Sequence, residues 1–229
     1  MTRTKGPFRI DVVTLFPSMF EGPMTESIVK RAREKGLLEL GFVNPRDFTT
    51  DRHRTVDDRP YGGGAGMVLM PEPMAKAIRS VKRRSSTVVF LSPQGKRLDQ
   101  KTARALAKKK HLVLVCGRYE GIDERLMGLF DLELSIGDYV LTGGELPAMV
   151  LTDALTRLQP GVLTKEEAAA RESFSENLLD FPQYTRPPKW RGSSVPEVLL
   201  SGDHARIEAW RRERAEEATR RKRPELLEN

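Results

Sequence analysis

Short β-branched runs alternate with helical patterns through the first two-thirds of this 229-residue chain, and that alternation constrains the fold more than any other feature. A parallel partner strand is reached only through a crossover long enough to hold a helix, so strand–helix alternation implies an α/β protein: a parallel sheet with helices on its faces. The spacing predicts strands at Ile10–Phe16, Leu37–Val43, Thr87–Leu91, Leu112–Cys116 and Leu132–Ile136. Between them it predicts a helix capped by Thr25 and stopped by Gly36, and helices over about Glu72–Arg83 and from an Asp99 cap to about Lys110. A short helix around Asp123–Leu129 and a longer one from Glu145 to Leu158 complete the pattern. In such sheets the ligand binds beyond the carboxyl ends of the strands.

Two regions depart from the alternation. Asn44 to Gly66 is a long polar stretch carrying the charge cluster Asp51–Arg59 and the run Tyr61-Gly-Gly-Gly-Ala-Gly66. An unstructured loop of that length inside a domain is usually functional or ordered by a partner. After Pro160 the strand signal ends: Thr164–Ser173 is polar and alanine-rich, Phe181–Pro188 holds too many prolines for a regular element, and His204–Arg223 is a basic helical pattern with Ile207 and Trp210 on one face. The expected organisation is a first domain over 1–163, a linker over 164–177 and a small helical domain over 178–229.

Charge and cysteine usage narrow the function classes. The net charge of +7 favours a polyanionic partner, since Lys and Arg that neutralise phosphates release counterions; a solvated basic surface is the plain alternative. The single cysteine, Cys116, excludes an internal disulfide framework and reads as a small core residue. His53, His111 and His204 lack ligand-like spacing, and no apolar run approaches the ~20 residues that span a bilayer. The expected setting is the cytoplasm, with neither membrane nor DNA as partner.

Three loops after predicted strands share one character: Leu91-Ser-Pro-Gln-Gly95, Cys116-Gly-Arg-Tyr-Glu-Gly-Ile-Asp123 and Ser135-Ile-Gly-Asp-Tyr-Val-Leu-Thr-Gly-Gly-Glu145. Glycine lets backbone approach a ligand and offers N–H and C=O groups to its polar edges. Each loop alone reads as a tight turn; three after successive strands read as one pocket. The familiar nucleotide-binding patterns fail on context. Gly62–Gly66 follows a charged loop instead of a strand, and Gly95-Lys96 lacks the upstream glycine of a phosphate-binding loop.

At these residues the chain resembles the bacterial tRNA (guanine-N1)-methyltransferases of the SPOUT, or α/β-knot, superfamily. The resemblance is carried by Leu15-Phe-Pro17, Asn44-Pro-Arg-Asp-Phe48, Thr55-Val-Asp-Asp-Arg-Pro-Tyr-Gly-Gly-Gly64, Gly66-Met67 and Leu91-Ser-Pro93. It continues through Gly117–Arg125, Ile136–Glu145, Pro160-Gly-Val162, Tyr184-Thr-Arg-Pro187 and Arg223-Pro-Glu-Leu226, in family order over nearly the whole chain. It implies a SPOUT-type sheet whose loops form a deep trefoil knot, a homodimer with each active site completed by the other subunit, and S-adenosylmethionine as methyl donor. The donor would lie among Leu91, Ser92 and Pro93, then Gly117, Tyr119 and Glu120, then Ile136, Gly137, Asp138, Tyr139, Val140, Leu141, Gly143, Gly144 and Pro147. Glu120 would sit near its positive end.

The implied reaction sets its own demands. N1 of guanine carries a proton and is a poor nucleophile towards a sulfonium methyl; removing that proton moves charge onto O6. A carboxylate base and a cation at O6 would lower the barrier, the base by ~10²–10⁴-fold. The resemblance assigns the cation to Arg157 and the base to Glu172, in Arg171-Glu-Ser-Phe174, where most family members carry aspartate, with Asp180 a second acid nearby. The extra methylene of Glu172 moves the carboxylate and loosens its rotamer. The implied substrate is the guanine at position 37 of tRNA, beside the anticodon, with the basic C-terminal region a platform for the anticodon arm and magnesium a requirement in some members. A knotted methyltransferase acting on another nucleotide and a catalytically dead RNA-binding dimer are the competing readings.

Overall fold

The computed structural model describes residues 6–163, 173–174 and 177–228. The chain divides into two compact units, 1–164 and 165–229.

The first unit is built on a five-stranded sheet of β1 (Phe8–Val13), β2 (Leu38–Val43), β5 (Ser86–Arg97), β6 (His111–Cys116) and β7 (Leu132–Ser135). Its spatial order is β2-β1-β6-β5-β7, and every pairing is parallel. The alternation thus yields the expected fold class. Side chains of successive strand residues go to opposite faces. Ile10, Val12, Val89, Leu91, Leu112 and Leu114 enter one core cluster, while Val13, Val88, Phe90, Val113 and Val115 enter another. α1 (Ser27–Glu34), α3 (Gln100–Ala107) and α4 (Glu145–Thr156) contribute to the first cluster, and α2 (Pro71–Val81) to the second. Full burial of a leucine such as Leu112 stabilises by about 1.5–3 kcal/mol, so the two clusters hold the sheet between its helices.

Several boundaries differ from the sequence reading, each for a local reason. β1 starts at Phe8 and ends at Val13, because Pro17 opens a short 3₁₀ turn and Phe16 already bends away from extended geometry. Thr25 does not cap α1: Glu26 is the cap residue, and the Thr25 hydroxyl closes the preceding turn against Gly22. The helix expected at Asp123–Leu129 is a 3₁₀ helix, Glu124–Leu129, capped by the Asp123 carboxylate on the Arg125 N–H at 2.9 Å.

The long polar stretch carries more order than its sequence promised. Asn44 caps the 3₁₀ turn Pro45–Phe48, and the Asp51 carboxylate accepts from the Thr55 hydroxyl at 2.7 Å and from the His53 N–H at 3.1 Å. Those bonds hold Asp51 below the usual carboxylate range, the Thr55 hydroxyl first among them. Val56 is fully buried, and β3 (Asp57–Asp58) pairs antiparallel with β4 (Val68–Leu69).

In the second unit, β8 (Lys189–Trp190) and β9 (Ser193–Ser194) form a hairpin, followed by α5 (Glu197–Leu200) and α6 (His204–Lys222). The Asp203 carboxylate caps α6 through the Arg206 N–H, and Tyr184 packs on Trp210 with ring centroids 6.3 Å apart. The basic helical pattern is therefore a real helix. Three of its seven Lys and Arg side chains are paired within it: Arg211 with Glu208 at 3.6 Å, Arg212 with Glu216 at 3.2 Å and Arg214 with Glu213 at 2.7 Å. No helix among the described residues is long and apolar enough to cross a membrane.

Candidate active site

Strands β6, β5 and β7 are neighbours, so the three glycine-bearing loops that follow them emerge side by side. They enclose a cleft of about 460 Å³ at the carboxyl edge of the sheet. Fourteen of the fifteen residues expected to hold the methyl donor line it: Leu91, Ser92, Pro93, Gly117, Tyr119, Glu120, Ile136, Gly137, Tyr139, Val140, Leu141, Gly143, Gly144 and Pro147. Asp138 does not. Its carboxylate faces solvent 3.8 Å from Arg97, turned out of the loop.

Each loop is shaped by identifiable contacts. β5 does not stop at Leu91 as expected. Leu91 and Lys96 both register with Leu134 of β7, so Ser92–Gly95 is extruded from a strand that then resumes to Arg97. The extrusion carries Ser92, Pro93 and Gln94 into the cleft wall, and the Ser92 hydroxyl accepts from the Gln94 N–H at 3.1 Å. In the second loop Tyr119 adopts a left-handed backbone, φ 61°, which costs an L-residue about 1–2 kcal/mol. That conformation is held by the Glu120 N–H on the Met67 carbonyl at 3.0 Å and the Gly121 N–H on the Arg118 carbonyl at 3.1 Å. The third loop rests on the second: the Gly144 N–H donates to the Gly117 carbonyl at 2.9 Å. A Cβ at Gly144 would lie 2.7 Å from the Cys116 Cα, so only glycine allows this approach.

An ion pair staples the two loops from beneath. Glu145, the first residue of α4, has no exposed surface; its carboxylate lies 2.9 Å from Arg118 Nε and accepts the Thr14 hydroxyl at 2.8 Å. Arg118 also donates to the Thr142 carbonyl at 3.1 Å and stacks over the Phe16 ring at 4.5 Å. The carboxylate at the first turn of α4 is further favoured by the positive end of the helix. Beside it, burial first and the Glu145 charge second push the Cys116 thiol well above its ordinary value. Cys116 is a protonated core residue, as its sequence context suggested.

Besides Arg118, whose guanidinium is engaged, three charged side chains line the cleft, and all are acids: Glu120, Glu124 and Glu133. Carboxylates around a semi-enclosed site favour a ligand that carries positive charge. Glu124, Glu133, Phe90 and Met127 lie outside the three loops and were not foreseen. They reach the cleft from strand interiors and the 3₁₀ helix, and only the sheet order places them there.

The expected catalytic residues fall outside the three loops that build this cleft. Arg157 is the C-cap of α4 and does not line it. Asp180 belongs to the second unit, where its carboxylate accepts from the Phe181 N–H at 2.9 Å and the Gln183 side chain at 3.3 Å. Glu172 lies outside the described residues. Among the described residues no group of three His, Cys, Asp or Glu side chains is placed to hold a metal ion.

Comparison with known proteins supplies what the geometry leaves open. The family model described as tRNA (Guanine-1)-methyltransferase TrmD matches residues 8–229. A tRNA (guanine-N(1)-)-methyltransferase of Dictyoglomus turgidum is 57% identical over 220 residues, covering 96% of this chain and 90% of its own. The same-named proteins of Carboxydothermus hydrogenoformans and Geobacter sulfurreducens are 54% and 56% identical, over 96% of this chain and 87% and 91% of theirs. With both the family model and these relatives spanning the cleft and the C-terminal unit alike, the chain belongs to the tRNA (guanine-1)-methyltransferase family.

Proposed function

We propose that this protein transfers a methyl group from S-adenosylmethionine to N1 of the guanine at position 37 of tRNA, next to the anticodon, in the cytoplasm. The observation that carries the reading is the cleft: three neighbouring loops at the carboxyl edge of a parallel sheet, lined by acids, in a chain of this family. The donor's adenine suits the backbone groups of the third loop, and its cationic end suits Glu120.

The chain's own groups then have defined tasks. Glu172, in the linker over 164–177, takes the N1 proton of guanine as that nitrogen's electron pair closes on the methyl carbon. Arg157 bonds O6, where the displaced charge collects. The carbon–sulfur bond breaks and neutral S-adenosylhomocysteine leaves. Asp180 serves as a second acid near the substrate. Alignment must bring N1 to about 3–3.5 Å of the methyl carbon.

A homodimer completes the site. Its support here is apolar surface left uncovered along α4 and the third loop, where Leu146, Val150 and Val140 are exposed, the last by 86%. The deep trefoil knot accords with the third loop seated against the second through Gly144 and Gly117. Magnesium is proposed as an activator of the transfer, and the C-terminal helical domain, 178–229, as the anticodon-arm contact.

The test is methylation of an unmodified transcript bearing guanine at position 37, with labelled donor and mapping of the product. Label at N1 of that nucleotide is the expected result. No incorporation, or incorporation elsewhere in the transcript, overturns the reading.

A further inference from the structure

The charge surplus of this protein does not lie where its most basic-looking helix is. Residues 165–229 carry 13 Lys and Arg against 13 Asp and Glu, so that unit is neutral. Residues 1–164 carry 26 against 19, the entire net charge of +7.

Within the first unit, six cations collect in two triplets, Lys82-Arg-Arg84 and Lys108-Lys-Lys110. The first triplet precedes β5 and the second precedes β6. These strands are adjacent and parallel, with Ser86 registered against His111, so both triplets stand at the amino edge of the sheet, side by side. The Ser86 hydroxyl ties the two loop ends together, meeting His111 Nδ1 at 2.7 Å and accepting the Arg83 N–H at 2.7 Å. All six residues are exposed. Among the described residues none of their side chains forms an ion pair, and three acids of the neighbouring strands and turns are already engaged, Glu39 by Arg9, Asp11 by Arg9 and His111, and Asp131 by the Val88 N–H at 2.8 Å.

A single cation at a helix C-terminus is accounted for by the helix dipole. Arg79 and Arg104, in the last turns of α2 and α3, already fill that role. Two unpaired triplets at the amino ends of neighbouring strands exceed it and raise the local positive potential at a cost in self-repulsion. The two loops contain no exposed large apolar or aromatic side chain, so the ridge has nothing to insert into a lipid layer and nothing on which to stack a base. It is built for phosphates alone.

We propose that residues 82–84 and 108–110 form a phosphate-binding ridge that holds the backbone of the RNA substrate at a point remote from the nucleotide that reacts. The six residues of β6 separate the ridge from the cleft by roughly 20 Å, at about 3.3 Å per residue. The ridge therefore touches neither the target base nor the donor; it adds sequence-independent affinity and salt dependence. The proposal rests on the RNA substrate proposed above.

The test replaces each triplet by glutamine, K82Q/R83Q/R84Q and K108Q/K109Q/K110Q, in the full-length protein. RNA binding is read by fluorescence anisotropy at several salt concentrations, and methylation kinetics separately, for full-length tRNA transcript and for an isolated anticodon stem-loop. Each variant is expected to weaken full-length binding about tenfold at low salt, flatten its salt dependence and raise KM for that RNA, with kcat unchanged. Stem-loop binding should move far less. Unchanged affinity for full-length transcript, or equal loss for both RNAs, overturns the proposal. So does loss of binding to phosphatidylglycerol vesicles with RNA affinity intact, which would assign the ridge to a lipid surface. Wild-type protein that binds RNA through the ridge yet transfers no methyl group would sink the enzymatic reading and leave the ridge standing.

Discussion

Arg118 has two tasks that its position in a glycine-rich loop did not announce. It lines the cleft, and it neutralises a carboxylate with no exposed surface, Glu145, at 2.9 Å. Breaking a buried ion pair by removing one partner strands the other charge and typically costs 3–5 kcal/mol. Glu145→Gln should therefore destabilise the protein by about 3 kcal/mol in urea unfolding. It should also weaken donor binding in titration calorimetry, because the second and third loops lose their common anchor. Unchanged stability and unchanged affinity together would remove the staple from the account. Glu172 is the opposite case, a residue singled out by resemblance alone. Glu172→Gln should lower the single-turnover rate by about 10²-fold or more, in the range for loss of a general base. Glu172→Asp should keep most activity, since it restores the usual family residue. If Asp180→Asn abolishes transfer while Glu172→Gln does not, the base has been misassigned.

At the scale of elements, the sheet was legible because its signals are local. Val88–Leu91 and Leu112–Cys116 are continuous apolar runs of strand length, and burial on both faces demands that pattern. The three loops were legible for a similar reason: glycine is concentrated where backbone must pass close to backbone. What the sequence could not disclose are features set by register. Nothing local says that Leu91 and Lys96 will share Leu134 as partner, so the extrusion of Ser92–Gly95 and the resumption of β5 stayed hidden. Glu133 and Met127 line the cleft for the same non-local reason. Gly144 joins the two levels. Its φ of −79° suits any residue, so the constraint is purely steric. Gly144→Ala must push the third loop off the Cys116 backbone, and about a tenfold or greater loss of donor affinity is expected, with secondary structure intact by circular dichroism. Wild-type affinity in that variant would mean that the loop seating is not what shapes the cleft.

In the first unit, the carboxyl edge of the sheet carries the acid-lined cleft while the amino edge carries the unpaired cations, and between the strands of that second edge buried Asp11 and His111 meet half-buried Ser86. The long basic helix does not set the charge balance, because the unit that holds it carries 13 Lys and Arg against 13 Asp and Glu. The His111 cluster links the amino edge to stability. Burial chiefly holds the imidazole pKa below its ordinary 6.5, with Arg83 and Arg9 adding to the effect against the opposing hydrogen bond and charge of Asp11. As pH falls, the unfolded chain therefore binds this proton first. Stability is fully present above about 6.5 and is lost as pH drops from there through the folded value, with a slope of at most about 1.4 kcal/mol per pH unit for one proton. The other groups with lowered values, Asp51, Asp99 and Asp123, start from 3.8 and act in more acid solution. Urea unfolding at pH 7.5 and 5.5 should show the loss in wild type and a smaller one in His111→Gln. Neutralising Arg83 removes one of the charges that disfavour the imidazolium and brings its folded pKa closer to 6.5, so in the K82Q/R83Q/R84Q variant the loss should be smaller than in wild type. Equal pH dependence in all three proteins would mean that the cations of the amino edge and the buried histidine are not electrostatically coupled.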